Sequence, residues 1–222
     1  MRKYFEFGGL VAAAVLIVFG AVAITMGVNG RNTVNKSLGN EYIVGSSDMT
    51  PSAIKTEARQ SGVFAAVKQW PTKSVANQKI DTGAKARLMA EYMHIHALEA
   101  THGYTYAQMG IYTAKPGTPK SQLMPGGGTD NTQYAAIDPQ TKQPVQNGAR
   151  QVWVTETALT TALNTSYMAD QLGLFGIVVG IALLLSGIGF AVLAIGGALR
   201  NPQTALTFLR RSTAKAPAVP VA

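Results

Sequence analysis

The chain of 222 residues has no cysteine, which excludes disulfides and thiolate-bound metals. Histidine is scarce: the 3 copies are His94, His96 and His102, within nine positions of one another. Charge is sparse at 14% and absent from two long runs, 8–28 and 172–199. Acidic residues are the minority, 11 against 19 basic. Arg2, Lys3, Arg200, Arg210, Arg211 and Lys215 lie outside the two apolar runs, opposed there only by Glu6. The intervening segment is therefore nearly balanced, and its basic residues form no stripe with interleaved aromatics, as nucleic-acid binding would need. No nucleic-acid partner is expected. Nor is there a Gly-x-Ser-x-Gly elbow, a phosphate-binding Gly-rich loop or a dinucleotide fingerprint. Asp130 and Asp138 lack calcium-loop spacing. No catalytic residue, no metal and no cofactor is expected, and the chain is not expected to be an enzyme.

What is present is hydrophobic length. The run 172–199 exceeds the roughly 20 residues that cross a bilayer core of about 30 Å. It continues, without proline or turn signal, a Thr-rich amphipathic stretch beginning at Asn147. Residues 147–200 are expected to form one helix that begins in water and ends in the membrane. In the first run, Ala21-Val22-Ala23 resembles a signal-peptidase site. The run continues through Ile24, Met26 and Val28, which favours an uncleaved transmembrane helix. Basic residues gather at the two chain ends, so both termini are expected in the cytoplasm and the segment between the spans outside the cell. The expected fold is mainly α: a head (1–7), a first span (8–28), an extracytoplasmic helical domain (29–171), a second span (172–199) and a basic, Pro/Ala-rich cytoplasmic tail (200–222).

Within the domain, residues 29–47 are expected to continue the first helix to about Gly39 and then extend over 41–44. Ser47 to Pro51 reads as a helix start that runs to Gly62. Residues 63–81 are expected to be irregular, with Trp70-Pro71 turning the chain. Asp81-Thr82 caps a helix over 83–101 whose broad face carries Leu88, Met89, Tyr92, Met93, Ile95, His96 and Ala100. Arg87, Ala90, His94 and Ala97 fall opposite. Residues 114–147, rich in Pro, Gly, Gln and Thr, are expected to be a mobile loop with little core of its own. On the last helix the expected inner stripe is Val152, Thr155, Leu159, Leu163, Ser166 and Tyr167, with Glu156 and Asp170 on or beside it.

The segment EYMHIHALEATH holds Glu91-x-x-His94 and Glu99-x-x-His102. Di-iron bundles use Glu-x-x-His, but on different helices converging on one point. Two copies on one helix sit about 12 Å apart along its axis. His94 and His96 face about 160° apart, so they cannot share an ion while the segment stays helical. His96 and Glu99, at i and i+3, are within side-chain reach of each other. With Tyr92 and Glu156 they form the candidate ligand- or pH-responsive cluster, since histidine titrates near neutrality. Buried Glu156 is expected to find a basic partner on the 83–102 helix. In the membrane, Gly176-x-x-x-Gly180 and Gly187-x-x-x-Ala191 are candidate close-packing positions. Neither span carries an ionisable residue of the kind that marks ion or proton paths.

Two stretches, MHIHALEATHGYTYAQMG and NGARQVWVTETALTTALNTSYMADQLGLFGIVVGIALLLSGIGF, resemble a family of uncharacterised two-span actinobacterial membrane proteins. Its members are often labelled aromatic ring-opening dioxygenases. The resemblance implies a membrane location and little else. The label would require two histidines and a carboxylate set facially around iron, whereas all three histidines here fall on one expected helix. The expected function is that of an integral cell-membrane protein with a structural, interaction or accessory role. Its expected partners are the lipid bilayer and another membrane or envelope protein, or a second copy of itself. An extracytoplasmic small-molecule or pH-sensing module around His96 and Glu99 is one alternative, and a homo-oligomeric channel subunit is another.

Overall fold

The computed structural model describes residues 2–196. It is mainly helical, with α1 (Arg2–Asn40), α2 (Pro51–Gln60), α3 (Gly83–Ala100) and α4 (Gly148–Ile195). Three single-turn 3-10 helices fall between α3 and α4. Among the described residues β-pairing is confined to isolated bridges. The tail 200–222, the end of the second span and the expected closure of its helix at Arg200 lie outside the described residues. The chain divides into two compact units, one made of Met1–Arg31 with Leu172–Ala222, the other of Asn32–Gln171. Helix α4 runs unbroken through 167–173, as its lack of proline or turn signal leads one to expect.

In the first unit two apolar helices pack through their smallest residues. The buried positions of α1 include Ala13, Gly20 and Gly27, and those of α4 include Gly180, Gly187 and Ala194. Both series advance by seven. A Cβ added at Gly20 would lie 2.7 Å from the Gly180 carbonyl oxygen, and one at Gly180 would lie 2.7 Å from the Gly20 oxygen. One at Gly187 would lie 3.0 Å from the Ala13 oxygen, and one at Gly173 would lie 2.9 Å from the Gly27 oxygen. Positions on α1 rise by seven as their partners on α4 fall by seven, so the helices run antiparallel. A strict seven-residue repeat keeps one seam in register as the helices supercoil. Only glycine lets the backbones come this close. The expected four-residue positions do not all fall on this seam. Gly180 and Gly187 lie on the seam, while Gly176 makes only ordinary contact, 3.6 Å to the Ala23 oxygen, and Ala191 is half-buried.

The second unit holds a conventional core of Ile54, Ala58, Val63, Val75, Ile80, Tyr92, Ile95, Leu98, Met109, Trp153 and Leu163. Helix α2 begins where Thr50 accepts from the Ala53 amide (3.1 Å) and proline fills the first turn. It ends at Gly62, whose φ of +77° is left-handed. Thr82 caps α3, and Asn147 caps α4 by accepting from the Ala149 amide (3.1 Å). The extended piece after α1 pairs with residues 75–80 through the bridges Val44↔Lys79 and Gly45↔Ala76.

Helix α3 departs from its expected faces. The buried positions are Gly83, Ala86, Ala90, Tyr92, Ile95, Ala97 and Leu98, whereas Leu88, Met89 and Met93 are only partly buried. The small residues on the supposed outer face are where α4 approaches: a Cβ at Gly83 would meet the Asp170 Cβ at 2.6 Å. Because neighbours enclose α3 on more than one side, the positions of its large side chains alone misplace its buried surface. On α4, Trp153, Glu156, Leu163 and Asp170 are buried, while Thr155 and Leu159 are exposed.

Residues 114–147, expected as a mobile loop with little core of its own, carry regular backbone pairing. The bridges Tyr112↔Thr129, Tyr112↔Gln146, Ala114↔Ala135 and Ile137↔Pro144 fold the segment back on itself. Thr129 and Ala135 are buried within it, and the Asn147 side chain donates to the Gly110 oxygen (3.0 Å). Composition alone hides this pairing, because the bridges are isolated and most link residues 17 or more positions apart.

Candidate functional site

The three histidines separate as the geometry of one helix requires. His94 and His96 project from different sides of α3, and His102 lies beyond its end with φ +53°.

His96 lies between two carboxylates. Its Nδ1 is 3.0 Å from Glu99 Oε2, the neighbour one turn on, and its Nε2 is 3.2 Å from Asp48 Oδ2 in the loop before α2. The expected His96–Glu99 pair is thus present, joined by a group that no local spacing in the sequence announces. Glu57 of α2 completes the cluster. One ligand-capable atom from each of Asp48, Glu57 and His96 lies within 4.8 Å of the others. Burial first, then the negative charges of Asp48 and Glu99, holds the Glu57 carboxyl above its ordinary value, and His96 pulls the other way. The Ser61 hydroxyl, at the end of α2, donates to Glu99 Oε1 (3.5 Å).

Tyr92 and Glu156 do not join that cluster. Tyr92 is fully buried, and its hydroxyl donates to the Lys73 carbonyl oxygen (2.9 Å). Burial, with a smaller contribution from Glu91, raises the Tyr92 pKa to about 12. Its role is to tie α3 to the irregular segment 63–81. Glu156 finds the basic partner expected of it, at 3.2 Å from His94 Nδ1, with the Thr157 hydroxyl donating to its other oxygen (3.3 Å). The His94 ring meets Trp153 edge-on at 5.3 Å. The Trp153 indole N–H in turn donates to the Tyr104 oxygen (2.9 Å), which fixes the start of α4 against the end of α3.

Two clefts of the second unit flank Glu156. One, of about 310 Å³, is lined by Lys68, Arg87, Glu91, His94 and Asn164 among others. Arg87 spans it, donating to Glu91 (3.3 Å) and to Asn164 (3.1 Å). The other, of about 500 Å³, is mainly apolar and is lined by Met93, His96, Ala97, Val152 and Thr155 with Glu156. His96 is thus the one histidine that reaches both a carboxylate cluster and an apolar cleft. His94 and His96 face different carboxylates.

No family model matches the chain, and neither does any curated protein or solved structure.

Proposed function

We propose that this is an integral membrane protein of the cell envelope, with a structural, interaction or accessory role. Its two apolar helices span the bilayer, and its helical domain presents a contact surface on the outer side. One observation carries the membrane assignment: the apolar stretches of α1 and α4 are long enough to span, yet only 17% of each apolar window is buried. A core helix of a water-soluble protein would bury such a window. Phe19, Met26, Phe175, Leu185 and Val192 all point outward from the glycine seam. The excess of Lys and Arg at the chain ends supports cytoplasmic termini.

Single cysteines test the topology, because the chain has none of its own. In intact cells, Ser121→Cys should react with a membrane-impermeant maleimide, whereas Ser212→Cys should react only after permeabilisation. Release of the protein by alkaline carbonate, or the reverse labelling pattern, would refute the assignment. Cross-linking in native membranes followed by mass spectrometry tests the interaction role: a partner protein, or a second copy, should be recovered through residues 32–171.

A small-molecule role is favoured by one feature, the apolar cleft of about 500 Å³ beside His96. Ligand-dependent thermal shifts that vanish on Val152→Trp, which would fill the cleft, would support it. A channel built on the glycine faces finds less support, because Gly20, Gly27, Gly173, Gly180 and Gly187 are engaged within one chain.

A further inference from the structure

We propose that His96, Asp48 and Glu57 bind one divalent first-row transition cation, with Glu99 as the carboxylate that orients the histidine. The four side chains come from three separate segments: the loop before α2, α2 itself and α3. They converge although no two of the three proposed ligands share an element.

The hydrogen-bond inventory points to a cation. A neutral imidazole has one N–H, and a carboxylate only accepts. If Nδ1–H donates to Glu99 (3.0 Å), the Nε2 lone pair faces Asp48 Oδ2 at 3.2 Å, acceptor against acceptor. Either a proton or a metal ion satisfies that pair. Glu57 adds a third group. Among the described residues no protein donor reaches its carboxylate, and a metal would engage one atom from each of the three side chains together. The nearby basic side chains of α2 are turned elsewhere, Lys55 toward the Trp70 ring (5.8 Å) and Arg59 toward the Phe64 ring (4.5 Å). Three carboxylates and one imidazole are therefore gathered with no lysine or arginine ion-paired to them among the described residues.

The dimensions agree. Metal–nitrogen and metal–oxygen distances of about 2.0–2.2 Å place tetrahedral ligand atoms roughly 3.3–3.6 Å apart. His96 and Asp48 already stand at 3.2 Å, and the Glu57 carboxylate atom lies within 4.8 Å of both. A carboxylate on the far nitrogen of a ligating histidine is the usual outer partner that fixes its tautomer and raises its basicity. Mixed nitrogen and oxygen donors without thiolate suit Zn²⁺, Co²⁺ or Mn²⁺, not the all-oxygen sites of Ca²⁺. With three protein ligands and partial exposure, water would complete the coordination.

The test is calorimetric titration of the full-length, tag-free protein in detergent with Zn²⁺, alongside the visible spectrum with Co²⁺. One saturable site per chain is expected, lost in His96→Ala and Glu57→Gln and weakened about 10–100-fold in Glu99→Gln. His94→Ala should bind as the unsubstituted protein does. Glu57 makes no side-chain hydrogen bond in the described fold, so Glu57→Gln decides the matter even where His96→Ala fails to fold, with circular dichroism checking each variant. Absence of saturable Zn²⁺ and Co²⁺ binding would overturn the site. So would unchanged affinity in a folded Glu57→Gln protein, which would remove Glu57 from the proposed ligand set.

Discussion

The two units of this chain pack by opposite rules. Residues 32–171 put Tyr92, Ile54, Ile80 and Ile95 at 0% exposure, the usual outcome where water expels large apolar side chains. In the other unit the buried positions hold glycine and alanine, while Phe175 is 66% and Leu185 65% exposed. On the proposed membrane reading, lipid accounts for the inversion. Where the solvent is as apolar as leucine, nothing drives large side chains inward, and close backbone contact decides which residues meet. The same helix, α4, obeys one rule at Trp153 and the other at Gly180.

The largest effect should come from the water-side core. Tyr92→Ala should cost about 3–5 kcal/mol of stability, read by denaturant unfolding, because it leaves a large cavity and an unserved Lys73 carbonyl. Tyr92→Phe isolates the hydrogen bond and should cost about 1 kcal/mol. In the other unit, Leu185→Asp should cost about 2.5–3.5 kcal/mol of membrane insertion, measured by glycosylation-reporter or carbonate-extraction assays. At a water-facing position the same change would be nearly neutral, so a silent Leu185→Asp breaks the comparison. Gly180→Leu should cost about 1–3 kcal/mol through backbone overlap with Gly20, whereas Gly189→Leu, with nothing within 4 Å of its added Cβ, should leave thermal stability in detergent unchanged.

The smallest effect is electrostatic. Asp81 pairs with Lys85 at 2.8 Å, and that hydrogen bond lowers its carboxyl pKa. A lowered folded value means the contribution is complete above the ordinary carboxylate pKa and fades as pH falls through the folded one. The pair is solvent-exposed, so Asp81→Asn should cost only about 0.3–0.5 kcal/mol at neutral pH, and the difference should disappear in acid.

Much of the helical frame was legible in the chain itself. Thr50-Pro51, Thr82 and Asn147 announce the starts of α2, α3 and α4, and Gly62 ends α2, because capping is local chemistry. The pairing of His96 with Glu99 is equally local, one helical turn apart. Asp48 and Glu57 were not legible as its companions, since contact with residues 48 and 39 positions away leaves no periodic trace. The backbone pairing within residues 114–147 left no trace either, because its bridges are isolated and framed by turn residues.

The sequence by itself determined that two long uncharged runs exist, where the helices of the domain begin and which residues could carry chemistry. Those properties depend on side chains a few positions apart and on runs of one polarity. Only the tertiary structure decided that the glycine seam repeats every seven residues, that α3 buries its alanines against α4, and that Asp48 and Glu57 join His96. Each of those depends on which distant surfaces touch, and an isolated helix pattern does not contain that information.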